Sequence, residues 1–529
     1  MIKATLSTDN KWLKIESNSA YELSQLQLYF TKKVNNWYVL KKKNPNIQVD
    51  EYFMNSYYII PVGLWRELVK VCHQYSYTLN IDGVSERICD GALTKEKFDK
   101  FVDDLFAGSK IKLRQYQREA AFYSLYYRRA CIEVSTSGGK TMIAYLIFKY
   151  LKDVCGIKHV LFITPSTNLT TQSKNKFLLY EKLCNREPDW TYLEIFSGAK
   201  KKKNERYDED IIFGNYQSLR NKKHDFFTKY SVVINDEAQH GVCTSIRTIF
   251  GKCTNAYYKI GMSGTLPAED SYDSFVLQSN IGPYVYKYVS RELIKEGYAT
   301  PVHVCAICLN YLDDERKNAL YNLRKLKKTQ NDNDPDEGMR LLNMEKDLAR
   351  SSEARFHYIC DMLKKTTKNT LVIFTDVQNK YGWRIYSNVK EFSNKNVYYI
   401  DGDVSPKDRE SMIDAMENDL SGNTIIVASI GCFSEGIDIC NLWNIFLVET
   451  TKSDGMLRQI LGRGMRQFEG KEKTMFIDFV DDYRYYNQNN VDYFTENYLF
   501  RHGMGRKQIY EDKGFPYKLI EVKLENRLF

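Results

Sequence analysis

No apolar run in the 529-residue chain reaches the roughly 18 to 20 residues of a membrane-spanning helix. The first residues, MIKATLSTDN, lack the charged-then-apolar pattern of a secretory signal. Cysteine is sparse: 12 in the chain are too few for a disulfide scaffold. One Cys-x-x-Cys pair, Cys305 and Cys308, lies in the apolar run VHVCAICL. No second Cys/His pair stands at metal-site spacing, which favours core cysteines over a metal or redox centre. The 7 histidines are scattered, so no Ser/His/Asp triad can be argued. A large net charge is also missing, since 76 basic against 67 acidic side chains leave +9. These gaps exclude membrane-spanning, disulfide-rich and globally disordered classes. They lead to the expectation of a soluble protein of the cytoplasm, the host's if the chain is phage-encoded.

Apolar surface, by contrast, is ample: 43% of residues are hydrophobic and 14% aromatic. A chain this long exceeds one core and implies several domains. The charge excess sits at the ends. Residues 1–95 carry 12 basic and 9 acidic groups, and residues 501–529 carry 7 and 4, so each end contributes +3 and the long middle only another +3. A mild basic excess on flanking pieces suggests a polyanionic partner.

Residues 1 to 95 combine aromatics (Trp37, Tyr38, Tyr52, Tyr57, Trp65) with lysines (Lys32, Lys33, Lys41 to Lys43). The β-prone runs WYVLKKK and YFMNSYYIIP precede a helical stretch near Leu64–Gln74, giving a small α+β domain. Its aromatics beside lysines suit either base stacking with phosphate contact or a core with a solvated basic face. From residue 110, short apolar runs alternate with amphipathic segments: ACIEV, TMIAYLIFKYL, HVLFIT, YLEIF, DIIFG, SVVIND, YYKIGMSG. A second series runs VHVCAICL, LVIFT, VYYID, TIIVASI, NIFLVE, TMFIDFV. This alternation predicts two α/β lobes, each a doubly wound parallel sheet covered on both faces. NDNDPDE (331–337) reads as a polar insertion, and the last 30 or so residues as a short C-terminal appendage.

The segment Ser135-Thr-Ser137-Gly138-Gly139-Lys140-Thr141 follows an apolar strand and opens a helix. Glycines there let backbone N–H groups approach phosphate oxygens at the positive end of the helix dipole. Lys140 would bridge the β- and γ-phosphates, and Thr141 would ligate Mg²⁺. A second strand ends in Asp236-Glu237, followed by Ala238, Gln239 and His240. At the carboxyl end of a parallel strand such a pair faces the ligand crevice. Asp236 can hold Mg²⁺ through water, and Glu237 can orient and deprotonate the water attacking the γ-phosphate.

In order along the chain, GGKT, DEAQ, Ser263-Gly-Thr265 and Gln459-Ile-Leu-Gly462-Arg463-Gly-Met-Arg466 resemble the motifs of superfamily 2 helicases and translocases. Other strings fit the same family over roughly residues 110–480. Leu113-Arg-Gln-Tyr-Gln117 resembles the element whose glutamine reads adenine. Thr164-Pro165-Ser, Ser197-Gly198 and Gly214-Asn215-Tyr-Gln217-Ser resemble strand-contacting motifs. Asp401-Gly402, Ala428-Ser429 and Glu435-Gly436-Ile-Asp438 resemble second-lobe motifs.

The resemblance implies two RecA-like lobes with ATP and Mg²⁺ between them. Gln117, Ser137, Gly138, Gly139, Lys140, Thr141, Gly436 and Asp438 would bind nucleotide, and Thr141 and Asp236 the metal. Lys140, Asp236, Glu237, Arg463 and Arg466 would act in catalysis, the arginines meeting charge on the transferred phosphoryl. Thr164, Pro165, Ser197, Gly198, Asn215 and Gln217 would touch nucleic acid; Gln239, Ser263, Thr265 and Gln459 would couple hydrolysis to lobe movement. The implied domains are 1–95 accessory, 96–298 first lobe, 299–500 second lobe and 501–529 appendage.

Three departures matter. Val134 replaces the first glycine of the usual phosphate loop, Ser137 replaces a second, and Gln239 stands where many relatives carry histidine. TPSTNLTTQ, RELIKEGYATPV, ASIGCFSEGID and QILGRGMRQ followed by FIDFVDDY resemble the phage UvsW-type branch-migration helicases, which act on forked and four-way DNA and on RNA–DNA hybrids. An RNA helicase or a restriction-type duplex translocase is the alternative in the same fold. A nucleotide-gated clamp without productive hydrolysis is the alternative of another class. Lys200 to Lys203 read either as phosphate contacts or as a solvated charge run.

Overall fold

The computed structural model describes residues 1–83, 90–196, 207–328, 337–434, 439–451, 454–486, 493–494 and 497–525. The chain divides into two compact units, Met1–Val289 and Ser290–Phe529.

Burial patterns separate two kinds of strand. In β1 (Ile2–Leu6) and β2 (Trp12–Ser17) buried and exposed residues alternate, as in a sheet with one wet face. β1 runs antiparallel to β2, with Ala4 opposite Ile15. A short ladder pairs β3 (Thr31–Lys33) with β4 (Asp50–Tyr52). β5 (Ile59–Pro61) borders β2, and β6 (Leu79–Asp82) runs parallel to β1, giving the order β5-β2-β1-β6. WYVLKKK departs from its β-prone reading and forms the helix Trp37–Lys43. Asn36 enters it with φ 57°, and Trp37 and Tyr38 stay exposed, so no sheet surface rewards their strand preference.

The core of this small sheet is not closed by its own residues. Leu26, Phe30, Met54 and Leu68 pack with Phe275 and Val276 of the helix Tyr272–Asn280. Gly63 makes the approach possible, because a Cβ there would fall 1.9 Å from the Gln278 carbonyl oxygen. Arg247–Glu51 at 2.6 Å and Lys70–Asp270 at 3.0 Å tie the same surfaces together.

The strands of the following sheet are β7 (Arg129–Val134), β8 (Val160–Thr164), β9 (Tyr192–Ile195), β10 (Ile211–Asn215), β11 (Val232–Asp236), β12 (Tyr258–Ser263) and β13 (Tyr284–Tyr288). They are all parallel, in the order β13-β7-β12-β11-β8-β10-β9. β8, β10, β11 and β12 are buried at every position, which is why they read as continuous apolar runs.

The second unit repeats the architecture with β14 (Val302–Asn310), β15 (Thr370–Phe374), β16 (Asn396–Ile400), β17 (Thr424–Ser429), β18 (Asn444–Leu447) and β19 (Thr474–Asp482). A two-stranded ribbon, β20 (Tyr485–Tyr486) with β21 (Tyr493–Phe494), follows. The C-terminal appendage is the helix Tyr498–Asp512 and β22 (Tyr517–Lys523), and it is fused to the sheet. β22 pairs parallel with β14, completing the order β16-β17-β15-β18-β19-β14-β22. Arg506 of that helix makes two 2.8 Å bonds to buried Asp478 on β19. Cys305 and Cys308 lie three residues apart on β14, so their side chains point to opposite faces of the sheet.

Candidate nucleotide site

In the first unit the carboxyl ends of β7, β12 and β11 are neighbours, and each carries one sequence motif. After β7 the chain turns through Ser135–Gly139 into the helix Lys140–Asp153. Ser137 (φ 72°) and Gly139 (φ 79°) take left-handed conformations, which turns the loop back over the helix amino terminus. Glycine is favoured at 139 by its φ of 79°, and a Cβ there would also press on Gln117 Nε2 at 2.3 Å. Gln117 is anchored to the loop. Its Nε2 donates to the Gly138 carbonyl at 3.1 Å, and its Oε1 accepts from the Arg114 N–H at 3.1 Å. The Tyr116 hydroxyl donates to the same carbonyl at 2.8 Å, and its ring stacks on Tyr288 with centroids 4.0 Å apart.

β11 delivers Asp236 and Glu237 to the adjacent strand end. Asp236 is buried and accepts the Glu237 N–H at 3.0 Å; Glu237 itself has φ 51°, an uncommon conformation for a non-glycine residue. Lys140 Nζ lies 3.4 Å from Glu237 Oε1. Burial, and then the neighbouring Glu237 charge, push the Asp236 carboxyl up. Burial also acts on Glu237, but Lys140 and then the Gln239 hydrogen bond outweigh it and hold that carboxyl below its ordinary range. Two adjacent carboxylates thus share one lysine. A divalent cation at Asp236, with the Thr141 hydroxyl in the first turn of the neighbouring helix, would supply the missing positive charge, so the donor set fits Mg²⁺. Loop N–H groups at a helix amino terminus with Lys140 beside them fit a polyphosphate.

A side-chain path leaves this cluster. Gln239 Nε2 donates to Glu237 Oε2 at 2.9 Å. The Ser263 hydroxyl, at the end of β12, lies 2.5 Å from Gln239 Oε1 and 2.6 Å from the Thr265 carbonyl, and accepts the Thr265 N–H at 2.9 Å. Ser263 has one proton for two acceptors, so it serves one at a time. Gly264 lies beside both ends, with its Cβ position 2.9 Å from Thr136 Oγ1 and 3.6 Å from Lys140 Nζ.

The residues expected from the sequence to touch nucleic acid gather further along the same edge. Asn215 and Thr164 are register partners at the ends of β10 and β8. Thr164 is buried, its hydroxyl 2.6 Å from that of Thr170. Asn215 caps the next short helix through Ser218 N–H at 3.0 Å, and exposed Gln217 donates to the Pro165 carbonyl at 3.1 Å. The surface here is therefore Pro165 and Gln217, with Thr164 and Asn215 holding them in place.

In the second unit, Gln459 and Arg463 are four residues apart on the helix Asp454–Gly464, and Arg466 follows its last turn. Sequence reasoning missed Lys471. Its ammonium donates to the carbonyls of Gly464 at 3.0 Å and Arg466 at 2.8 Å, tying down the chain that carries both arginines. It also missed Tyr116 as a support of the phosphate loop. Lone residues of these types carry no distinguishing pattern. Ser197, Gly198, Lys200 to Lys203, 331–336, Glu435, Gly436 and Asp438 lie outside the described residues.

Residues 110–268 match the family model described as type III restriction enzyme, res subunit, and residues 354–467 match the helicase conserved C-terminal domain. The chain is 27% identical to the ATP-dependent DNA helicase UvsW of Enterobacteria phage T4 over 477 residues, covering 88% of each chain. It is 23% identical to the DNA 3'-5' translocase XPB2 of Sulfurisphaera tokodaii, covering 71% of this chain and 84% of that one. Among solved structures it resembles the ATP-dependent type ISP restriction-modification enzyme LlaBIII bound to DNA, with a TM-score of 0.55 and 16% identity over 78% of this chain and 32% of that one.

Proposed function

Because the chain is a superfamily 2 helicase similar to UvsW, we propose that it hydrolyses ATP with Mg²⁺ to move along DNA, unwinding or branch-migrating forks, junctions and R-loops in recombination, repair or replication restart. The observation that supports this most directly is the unbroken path from Lys140 through Glu237 and Gln239 to Ser263. A protein that only clamps nucleic acid has no use for a hydrogen-bonded route from the attacking-water carboxylate to a second strand end. In this reading the loop amides, Gly138 and Gly139 among them, and Lys140 hold the phosphates. Thr141 and Asp236 hold the metal, and Glu237, ionised at neutral pH, orients the attacking water. Gln117 positions the loop with one N–H and one Oε1 lone pair, which leaves a second N–H and a second lone pair to read adenine. Arg463 and Arg466 meet the phosphoryl charge, and Gly436 and Asp438 belong to the motif that joins nucleotide state to movement. Pro165 and Gln217, with Ser197 and Gly198, contact the strand. Residues 1–95 select branched substrates, with 96–298 and 299–500 as the motor and 501–529 as its appendage, and the protein works in the cytoplasm, the host's if the chain is phage-encoded.

The deciding experiment is an ATPase and strand-displacement panel over single-stranded DNA, forks, four-way junctions, R-loops and duplex RNA. Stimulation by branched DNA above the others is expected. Preference for duplex RNA would replace this reading by an RNA helicase, and nucleic-acid binding without turnover would replace it by a clamp.

A further inference from the structure

The opposite edge of the first unit's large sheet holds a feature that hydrolysis does not use. A pocket of about 300 Å³ opens at the amino-terminal ends of β7 and β12, under the turn between β1 and β2. Asp9 and Lys11 from that turn, Arg128 just before β7, Arg129 at its start, and Tyr257 before β12 line it. Lys259 is the register partner of Arg129 across β7 and β12, which places two cations side by side on one sheet face. Like charges in that relation destabilise a sheet.

The surrounding carboxylates cover only part of this charge. Asp90 pairs with Arg128 at 3.6 Å, and Asp9 pairs with Lys11 at 3.5 Å. Among the described residues the Arg129 side chain makes no hydrogen bond or ion pair and feels only the longer-range attraction of Asp9, and Lys259 donates to the neutral Phe250 carbonyl at 3.3 Å. Burial pushes the Arg129 guanidinium down to about 10 and, helped by Arg129, the Lys259 ammonium down to about 7. Arg128 adds a non-glycine left-handed φ of 56°, with its guanidinium 4.6 Å over the Tyr257 ring. Arg129 lines an open pocket beside Lys11 and a strained Arg128, with Lys259 behind it in the sheet, a costly arrangement unless an anion returns the energy.

We propose that this pocket binds a phosphate group, with Arg129 and Lys11 as its principal ligands and Arg128 beside them. Guanidinium forks match the tetrahedral oxygens of phosphate, and the pocket, far larger than one phosphate, leaves room for an attached sugar. The phosphate could come from a small molecule or from a nucleic-acid backbone, and the chemistry of recognition is the same. Because the site joins the β1–β2 turn to β7, the strand that feeds the phosphate loop, its occupancy would stiffen the seat of the amino-terminal sheet.

Thermal unfolding of the full chain in inorganic phosphate, against chloride at matched ionic strength, tests the proposal. A rise of about 3 °C is expected near tenfold the dissociation constant. It should persist in Lys140→Ala, which removes the lysine of the nucleotide loop, and be lost in Arg129→Met. Lys11→Gln, a turn substitution that cannot unfold the sheet, should reduce it, which guards against misfolding of the first variant. Duplex oligonucleotide titrations of the same variants separate the sources. A several-fold weaker affinity and a salt slope shallower by about one identify a backbone phosphate. Unchanged DNA binding with a lost phosphate response identifies a small-molecule phosphate. A phosphate response and DNA affinity that survive both Arg129→Met and Lys11→Gln overturn the site, as does a phosphate response lost only in Lys140→Ala with DNA affinity unaltered throughout.

Discussion

Gln239 donates its side-chain amide to Glu237 at 2.9 Å, and that bond decides which end of the carboxamide faces Ser263. With Nε2 committed to the carboxylate, only Oε1 remains for the serine hydroxyl. The position where many relatives carry histidine is thus filled by a group that donates at one end and accepts at the other.

Gln239→Ala should leave nucleotide binding intact and lower nucleic-acid-stimulated turnover by about 10–100-fold, the range for one hydrogen bond to a charged group. Steady-state kcat and a nucleotide-binding titration check this. Unchanged kcat would mean that the path carries no coupling.

Glu237→Gln and Lys140→Ala should both abolish turnover with the fold retained, but they differ in binding. Lys140→Ala removes the cation beside the phosphate loop and weakens ATP affinity. Glu237→Gln frees Lys140 from its 3.4 Å ion pair and should leave affinity equal or tighter. Normal turnover in either variant rejects the site.

Lys259 makes stability depend on pH with a definite sign. Burial, then Arg129, lowers its pKa from 10.5 to about 7 in the folded state. The unfolded chain therefore binds more protons between those values, and stability rises with pH across that window. Lys259→Met should flatten the rise between pH 7 and 9.5 and stabilise the protein near pH 7. Denaturant midpoints across pH measure it, and an identical slope in the variant would show that Lys259 is not the group responsible.

Deleting residues 1–95 would be an unclean test of their substrate role. Phe275 and Val276 complete the core of the amino-terminal sheet, so its removal exposes them and lowers the stability of the first lobe. Surface substitutions avoid this. Lys33 sits 4.0 Å over the exposed Trp37 ring, and Trp37→Ala with Lys33→Ala should weaken branched-DNA binding by about 5–100-fold while basal ATPase is unchanged. Fork affinity equal to that of the unmodified protein would exclude this surface.

Arg506→Met breaks a buried two-bond pair with Asp478 and leaves the carboxylate without a countercharge, held among the described residues only by the Tyr510 hydroxyl. A loss of about 3–5 kcal/mol is expected. Asp478→Asn in the same chain should recover part of it, and no change in the unfolding midpoint would show that the C-terminal helix contributes little.

The central strands were legible because their physics is local. A strand buried on both faces must be a continuous apolar run, so β8, β10, β11 and β12 announce themselves. The phosphate loop is also local, since glycines, a lysine and a helix start lie within seven residues. β13 and β22 were not legible: β13 is only half buried and β22 mostly exposed, so neither shows that pattern. WYVLKKK became a helix because nothing in the fold covers its aromatics.

The sequence by itself determined the two α/β lobes, the phosphate-loop pattern and the order of the motifs, because each of these depends on neighbours in the chain. Tertiary structure alone decided that Gln239 spans Glu237 and Ser263, that Gln117 and Tyr116 hold the phosphate loop, and that Lys471 ties down the arginine helix. It also set Arg129 beside Lys259, 130 positions apart, and brought Arg129 to the wall of a pocket that Lys11 shares. Parallel strand order makes these pairs. Sheet neighbours in such a fold are separated by whole crossovers, so no local pattern records which side chains will meet.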